Sequence, residues 1–301
     1  MGISRWKIVN DMEHIQSTQV FSGGACNVLD AQGQLLRNAE RDRINDWLTE
    51  YNITFFDPQI HPDTHGEEYN FEKHHPLEME ARSVAKINLY EVSPRTFSGI
   101  TSFEIAADHF RWNEPMVLYF SDGSHESDHI PAHSQLGHPL FVPEGIHTNE
   151  RAMRAHYAEF VKNGNNMRKY LVRMARETHS LTVTFEERVH TGDIMVSPER
   201  MHAAEMFRAM VMASSGQRVI VNFSGGPKAR DAAGNPLFIL PIFPPQVEMR
   251  ALLDQYVDEG NALRRAIAEL IKISVFTRVV YTQRAAILAM EELLRVKRIL
   301  Q

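Results

Sequence analysis

The first half of the chain alternates short β-rich runs with amphipathic stretches. This is the pattern of a parallel sheet wrapped by helices, since parallel neighbours need a crossover between them. Residues 19 to 22 open as a strand, which Gly23 and Gly24 end. Over residues 38 to 51, Ile44, Trp47 and Leu48 recur at helical spacing among charged residues, the mark of a surface helix packed on one face. Residues 53 to 56 form the next strand, closed by Asp57-Pro58, and residues 77 to 86 read as a helix with Leu77, Ala81 and Val84 inward. A strand over 85 to 92 and a fourth over 116 to 120 complete the series. Four strand ends thus converge on one crevice, at the carboxyl edge where open α/β sheets bind ligands.

Beyond residue 120 the pattern loosens. Pro131, Pro139 and Pro143 keep the stretch 121 to 150 from forming a long helix, and it reads as a loop that could act as a lid. A long helix over 150 to 177 and a strand over 180 to 185, placed to complete the sheet, follow. Next come a Met- and Ala-rich helix, a buried strand at 218 to 223 and a turn at Ser224-Gly225-Gly226-Pro227, which lacks the Lys and Ser/Thr of a phosphate-binding loop. Two helices dominate from 246 onward, split near 273 to 281 where β-branched residues cluster. The expected fold is a flavodoxin- or Rossmann-like α/β domain over residues 1–190, with a mainly helical region over 191–301.

Composition narrows the function. A formal charge of −6 argues against a nucleic-acid polymer as main partner, because affinity for phosphates needs clustered Lys and Arg. No apolar run is long enough to span a bilayer, and the segment bearing Arg5, Trp6, Lys7, Asp11 and Glu13 lacks the apolar block of a signal peptide. Cys26 is the single cysteine, so no intrachain disulfide forms, in keeping with a cytoplasmic protein.

The chemically informative stretch is Ser98-Gly99-Ile100-Thr101-Ser102-Phe103-Glu104, a small-residue turn that sets a carboxylate on the first turn of a helix after an apolar strand. Such a turn leaves backbone N–H groups facing a ligand, although a Glu there also satisfies the helix dipole. Set beside Val20-Phe21-Ser22-Gly23-Gly24, Phe55-Phe56-Asp57-Pro58-Gln59 and the acidic residues Glu78 and Glu80, this turn makes residues 19 to 123 resemble the nucleoside 2-deoxyribosyltransferase-like family. The resemblance implies that Glu104 is the nucleophile and Glu78, with Glu80 as its rival, the proton donor or base for the nucleobase. It also implies that subunits associate into a homo-oligomer. Gly23 and Gly24 mark close backbone approach to a ligand or a tight strand-to-helix turn, Gly99 lies in the turn that borders the expected substrate, and Ser22, Asn27, Ser98 and Thr101 are candidate hydrogen-bond partners for sugar hydroxyls. Two departures stand out. Phe21 occupies a position where the family commonly carries a Tyr that holds the nucleophile, and Ser98 one where it carries Asp.

Breaking an N-glycosidic bond passes through an oxocarbenium-like state, so one carboxylate beneath the sugar and one acid near the base meet its need. Asp57 is a second candidate for that acid, or an acceptor for a sugar hydroxyl, though Asp before Pro also caps turns. Phe21 and Phe56 are candidates for stacking on a base, against a core role. The expected ligand is a small nucleoside or nucleotide, with no cofactor and no metal. His125, His129, His133 and His138 are read as a solvated loop because Pro131 breaks the helix that would align them, and His61, His65, His74 and His75 are read as lining an exposed loop. The stripe Ile287, Met290, Leu294 reads as packing, within the chain or across a dimer. Two alternatives accompany the glycosidic reading. One is a non-catalytic nucleotide-binding or signalling protein on the same fold, and the other a phosphoribohydrolase in which Arg95 grips a 5′-phosphate.

Overall fold

The computed structural model describes residues 15–60, 70–111, 115–121, 140–186, 192–225, 242–271 and 277–299, with short pieces between 229 and 238. In chain order the elements are β1 (Val20–Gly24), β2 (Asn27–Leu29), β3 (Leu35–Arg37), α1 (Asp42–Glu50), β4 (Phe55–Phe56), α2 (Phe71–Val84), β5 (Ile87–Glu91), α3 (Gly99–Arg111) and β6 (Met116–Tyr119). They continue with α4 (Glu150–Glu177), β7 (Leu181–Thr184), β8 (Ile194–Val196), α5 (Ala203–Ser214), β9 (Val219–Phe223), the short pair β10 (Ala229–Arg230) and β11 (Pro236–Leu237), α6 (Gln246–Ile271), β12 (Thr277–Val280) and α7 (Gln283–Val296).

Five strands form one parallel sheet in the order β12-β6-β5-β1-β4. Counting only these strands along the chain, the order is 2-1-3-4-5, the doubly wound flavodoxin-like arrangement. Alternate residues of each strand face opposite layers. Val20, Ile87, Leu89, Val117 and Tyr119 pack with Ile44 and Leu48 of α1 and with Ala286, Met290, Leu293 and Leu294 of α7. Phe21, Tyr90, Met116 and Leu118 face the other way, into a larger core shared with α2, α3, α4, α5 and α6. Both faces of the sheet are therefore covered, which explains why its inner strands β5 and β6 are buried throughout.

The strand at 181 to 184 does not complete this sheet. It pairs instead with β9, in a separate parallel sheet of order β7-β9-β8. The fifth place goes to β12, whose run Thr277-Arg278-Val279-Val280 lies in register with Met116 to Tyr119 of β6. That strand comes from beyond residue 190, and α7 follows it to cover the sheet. The C-terminal region is mainly helical, yet it contributes an edge strand and one flanking helix to the α/β layer. Met290 and Leu294 of the apolar stripe are buried against that sheet, with Ile287 packed alongside, so the stripe is intrachain packing.

Helix α2 begins at Phe71, earlier than the apolar spacing suggests, because the Asn70 side chain caps it by accepting from the Lys73 N–H at 3.0 Å. Pro76 sits inside this helix. The extra turn carries His74 and His75 into the interior, where both are buried, so neither lies on an exposed loop. His61, His65 and the His125 to His138 stretch lie outside the described residues. No described helix is long and apolar enough to cross a membrane.

Candidate functional site

A cavity of about 160 Å³ opens at the carboxyl edge of the sheet, beyond the ends of β1 and β5. One wall is the stretch from Gly24 to Leu29 with Pro58, and a second is the loop from Arg95 to Ser98 with Gly99, Ile100, Thr101 and Glu104 of α3. Glu78 reaches in from α2, while His156, Lys162 and Asn163 of α4 and Tyr256 of α6 close the far side. Of the residues expected at the site, Glu104, Glu78, Gly24, Ser98, Gly99 and Thr101 all border this one space.

Glu104 is the sixth residue of α3, in its second turn, so it does not cap the helix and the first turn holds no acidic residue. It is almost fully buried. Arg82 of α2 donates from Nη1 to Glu104 Oε1 at 3.2 Å and from Nη2 to the Glu104 carbonyl at 3.2 Å. The same guanidinium holds Asp108 through Nε at 3.2 Å and Nη2 at 2.5 Å, and Asp108 also accepts from Asn88 and from the Tyr90 hydroxyl. Burial pushes the Glu104 carboxyl up to about 7; Arg82 opposes the rise and the neighbouring Glu78 adds to it. His75, one turn before Glu78 on α2, lies with its imidazole against the two carboxylates, and one donor atom from each of the three falls within 4.8 Å of the others. Burial lowers the His75 imidazole to about 4, so it is neutral at physiological pH.

Glu80, the rival of Glu78, turns outward and accepts from Gln16. Asp57 is not among the side chains lining the cavity. It accepts from Asn45 Nδ2 at 2.7 Å and from its own turn at the Gln59 N–H (3.2 Å), and it pairs with Arg41 at 3.3 Å, so capping and an internal ion pair account for it. Phe21 and Phe56 are core residues, stacked on each other with centroids 6.0 Å apart. Ser22 donates to Asn45 at 2.9 Å, inside the protein, and a Cβ at Gly23 would lie 2.6 Å from the Tyr90 ring. These four residues shape the crevice from beneath without reaching it. Gly24 is different, because it adopts φ +140° and a Cβ there would lie 2.9 Å from the Glu91 carbonyl oxygen.

Two residues that the sequence reading passed over, Arg82 and Arg264, help to build the site alongside some that it named. Arg82 supplies the hydrogen bond to Glu104 that Phe21 cannot. Arg264 of α6 donates to the carbonyls of Ser93 and Thr96 (2.7 Å to the latter) and so pins the loop that leads to Ser98. Ser98 itself takes a left-handed backbone, φ 57°, with its hydroxyl 2.9 Å from that of Thr96. Arg95 leans on buried Glu40 at 3.3 Å; burial and the adjacent Glu91 hold the Glu40 carboxyl well above the usual carboxylate range. The Cys26 thiol donates to the Pro58 carbonyl at 3.2 Å, and burial raises it to about 12. On the cavity wall, Asn27 Oδ1 is a buried acceptor with no hydrogen-bond partner among the described residues. Local sequence carries no signal for Arg82 or Arg264, which act across helices far apart in the chain.

Compared with protein-family models, curated proteins and solved structures, the chain matches none.

Proposed function

We propose that the protein cleaves or transfers the N-glycosidic bond of a (deoxy)nucleoside or nucleotide, as the resemblance to nucleoside 2-deoxyribosyltransferases implies. The observation that carries this reading is the pair of buried carboxyl groups, Glu104 and Glu78, bordering one cavity with oxygens within 4.8 Å. In retaining glycosidases the two carboxyls stand ~5–5.5 Å apart, close enough for one to form a covalent intermediate. Glu104, its anion stabilised by the Arg82 guanidinium, attacks C1′. The bond from C1′ to the base nitrogen breaks, its electron pair stays on the base, and Glu78 delivers the proton. Water or an acceptor base then attacks C1′ with Glu78 as general base, and Glu104 departs as carboxylate.

The unpartnered Asn27 oxygen and the Ser98 and Thr101 hydroxyls suit the hydroxyls of a furanose. Arg95 and Lys162 border the same space and favour substrates bearing a 5′-phosphate. A cytoplasmic location and assembly as a homo-oligomer belong to the same reading, and light scattering of the purified protein measures the latter. The decisive experiment incubates the protein with deoxynucleosides, ribonucleosides and their 5′-monophosphates, with and without an acceptor base, and follows released or exchanged base by chromatography. Base release abolished by Glu104→Ala supports the mechanism. Binding without turnover that survives Glu104→Ala assigns the chain to the nucleotide-binding alternative.

A further inference from the structure

His75 and Glu78 stand one turn apart on α2, on a common helix face, and α3 brings Glu104 against them. All three are buried, and Glu78 and Glu104 also border the cavity. Two buried carboxyl groups, Glu104 and Asp108, share one guanidinium, Arg82, and a third, Glu78, lies beside Glu104. Acidic groups thus outnumber basic ones in a place sheltered from water, where ionising them without a compensating cation is costly.

We propose that His75, Glu78 and Glu104 form a site for a first-row divalent cation such as Zn²⁺ or Mn²⁺, whose remaining coordination positions face the cavity. One imidazole nitrogen with two carboxylate oxygens is a donor set for borderline ions, whereas Mg²⁺ and Ca²⁺ prefer oxygen alone. Three protein ligands with an open position is also the arrangement of reactive metal sites, as structural ones are closed by a fourth ligand. Arg82 orients the Glu104 carboxylate from outside, as hydrogen-bond donors orient metal ligands, and its positive charge weakens the affinity. A bound ion takes the lone pairs that Glu104 needs for attack at C1′, so it inhibits base release; this inhibition, unlike the binding, rests on the glycosidic reading.

The test titrates the EDTA-treated, desalted full chain with Zn²⁺ alone by calorimetry, with Mg²⁺ in parallel. Wild type is expected to bind one equivalent of Zn²⁺ that His75→Gln and Glu78→Gln lose or bind at least tenfold more weakly. The control His179→Ala, an exposed histidine that does not border the cavity, retains that equivalent, and excess Mg²⁺ does not displace it. With Co²⁺ in place of Zn²⁺, the absorption spectrum shows no thiolate charge-transfer band, although Cys26 borders the same cavity. Equal stoichiometry and affinity in wild type, His75→Gln and Glu78→Gln, or a thiolate band, overturn the site. Should the variants fail to fold, anomalous diffraction from Zn²⁺-soaked wild-type crystals decides, and absence of a peak among the three side chains overturns it. Base release that persists in saturating Zn²⁺, with no zinc bound among these residues, sinks the cation site alone. Zinc bound there, with no base release from any substrate by the metal-free protein, sinks the glycosidic reading alone.

Discussion

Glu104 combines a reactive position with an energetic cost, and both are measurable. In the fold its carboxyl rises from an ordinary 4.5 to about 7, so the folded protein holds that proton more tightly than the unfolded chain. Between those two values the unfolded chain ionises first. Stability of the wild type relative to Glu104→Gln therefore falls as pH rises from about 4.5 to about 7, and the difference is constant above that. Urea melts of the two proteins at pH 5 and pH 8 measure it, with Glu104→Gln gaining on the wild type at pH 8. The same variant is expected to lose base release by roughly 10³-fold or more, since an amide cannot form the covalent intermediate. In the wild type the rate rises with pH through about 7 as the nucleophile ionises. Cys26 gives a simpler check of the cavity wall. Its thiol, raised to about 12, is expected to react with Ellman's reagent at least tenfold more slowly in the native protein than after denaturation.

At the scale of single elements, the β1 end and the α2–α3 contact set the cavity's floor. The backbone of Gly24 is left-handed and pressed on Glu91, so Gly24→Ala combines strain with a backbone clash and is expected to cost about 2–3 kcal/mol. Gly216→Ala, at φ +87° in open space, carries strain alone and is expected to cost about 1 kcal/mol. Paired denaturant melts distinguish the two. Much at this scale was legible in the sequence, because β-rich runs, Gly pairs and helical spacing are local signals. The small-residue turn at Ser98 and Gly99 was visible for the same reason. What escaped was the start of α2. The Asn70 cap extends the helix back through Pro76, and that turn brings His75 beside the carboxylates. Asp57 and Phe21 were drawn to the site by position along their strands, yet an ion pair with Arg41 holds the first and the core takes the second.

On the scale of the whole molecule, the C-terminal third is bound into the α/β layer. Ending the chain before Thr277 removes β12 and α7, bares the β6 edge and uncovers Val20, Leu89 and Val117 on one sheet face. Such a truncation is expected to lose cooperative thermal unfolding and to aggregate, as calorimetry and light scattering will register. Residues 246 to 271 act on the site too, through Arg264 under the 93 to 98 loop and Tyr256 in the cavity wall. Periodicity and turn chemistry along the chain sufficed for the class of fold and for Glu104 at its crevice, because those features depend on neighbours a few positions apart, whereas Glu78 came from the family resemblance. Which strand fills the sheet's last place, which cation steadies Glu104 and which histidine joins the carboxylates are contacts between distant segments. Those were settled only when burial of both sheet faces, and the need to balance charge within them, brought the segments together.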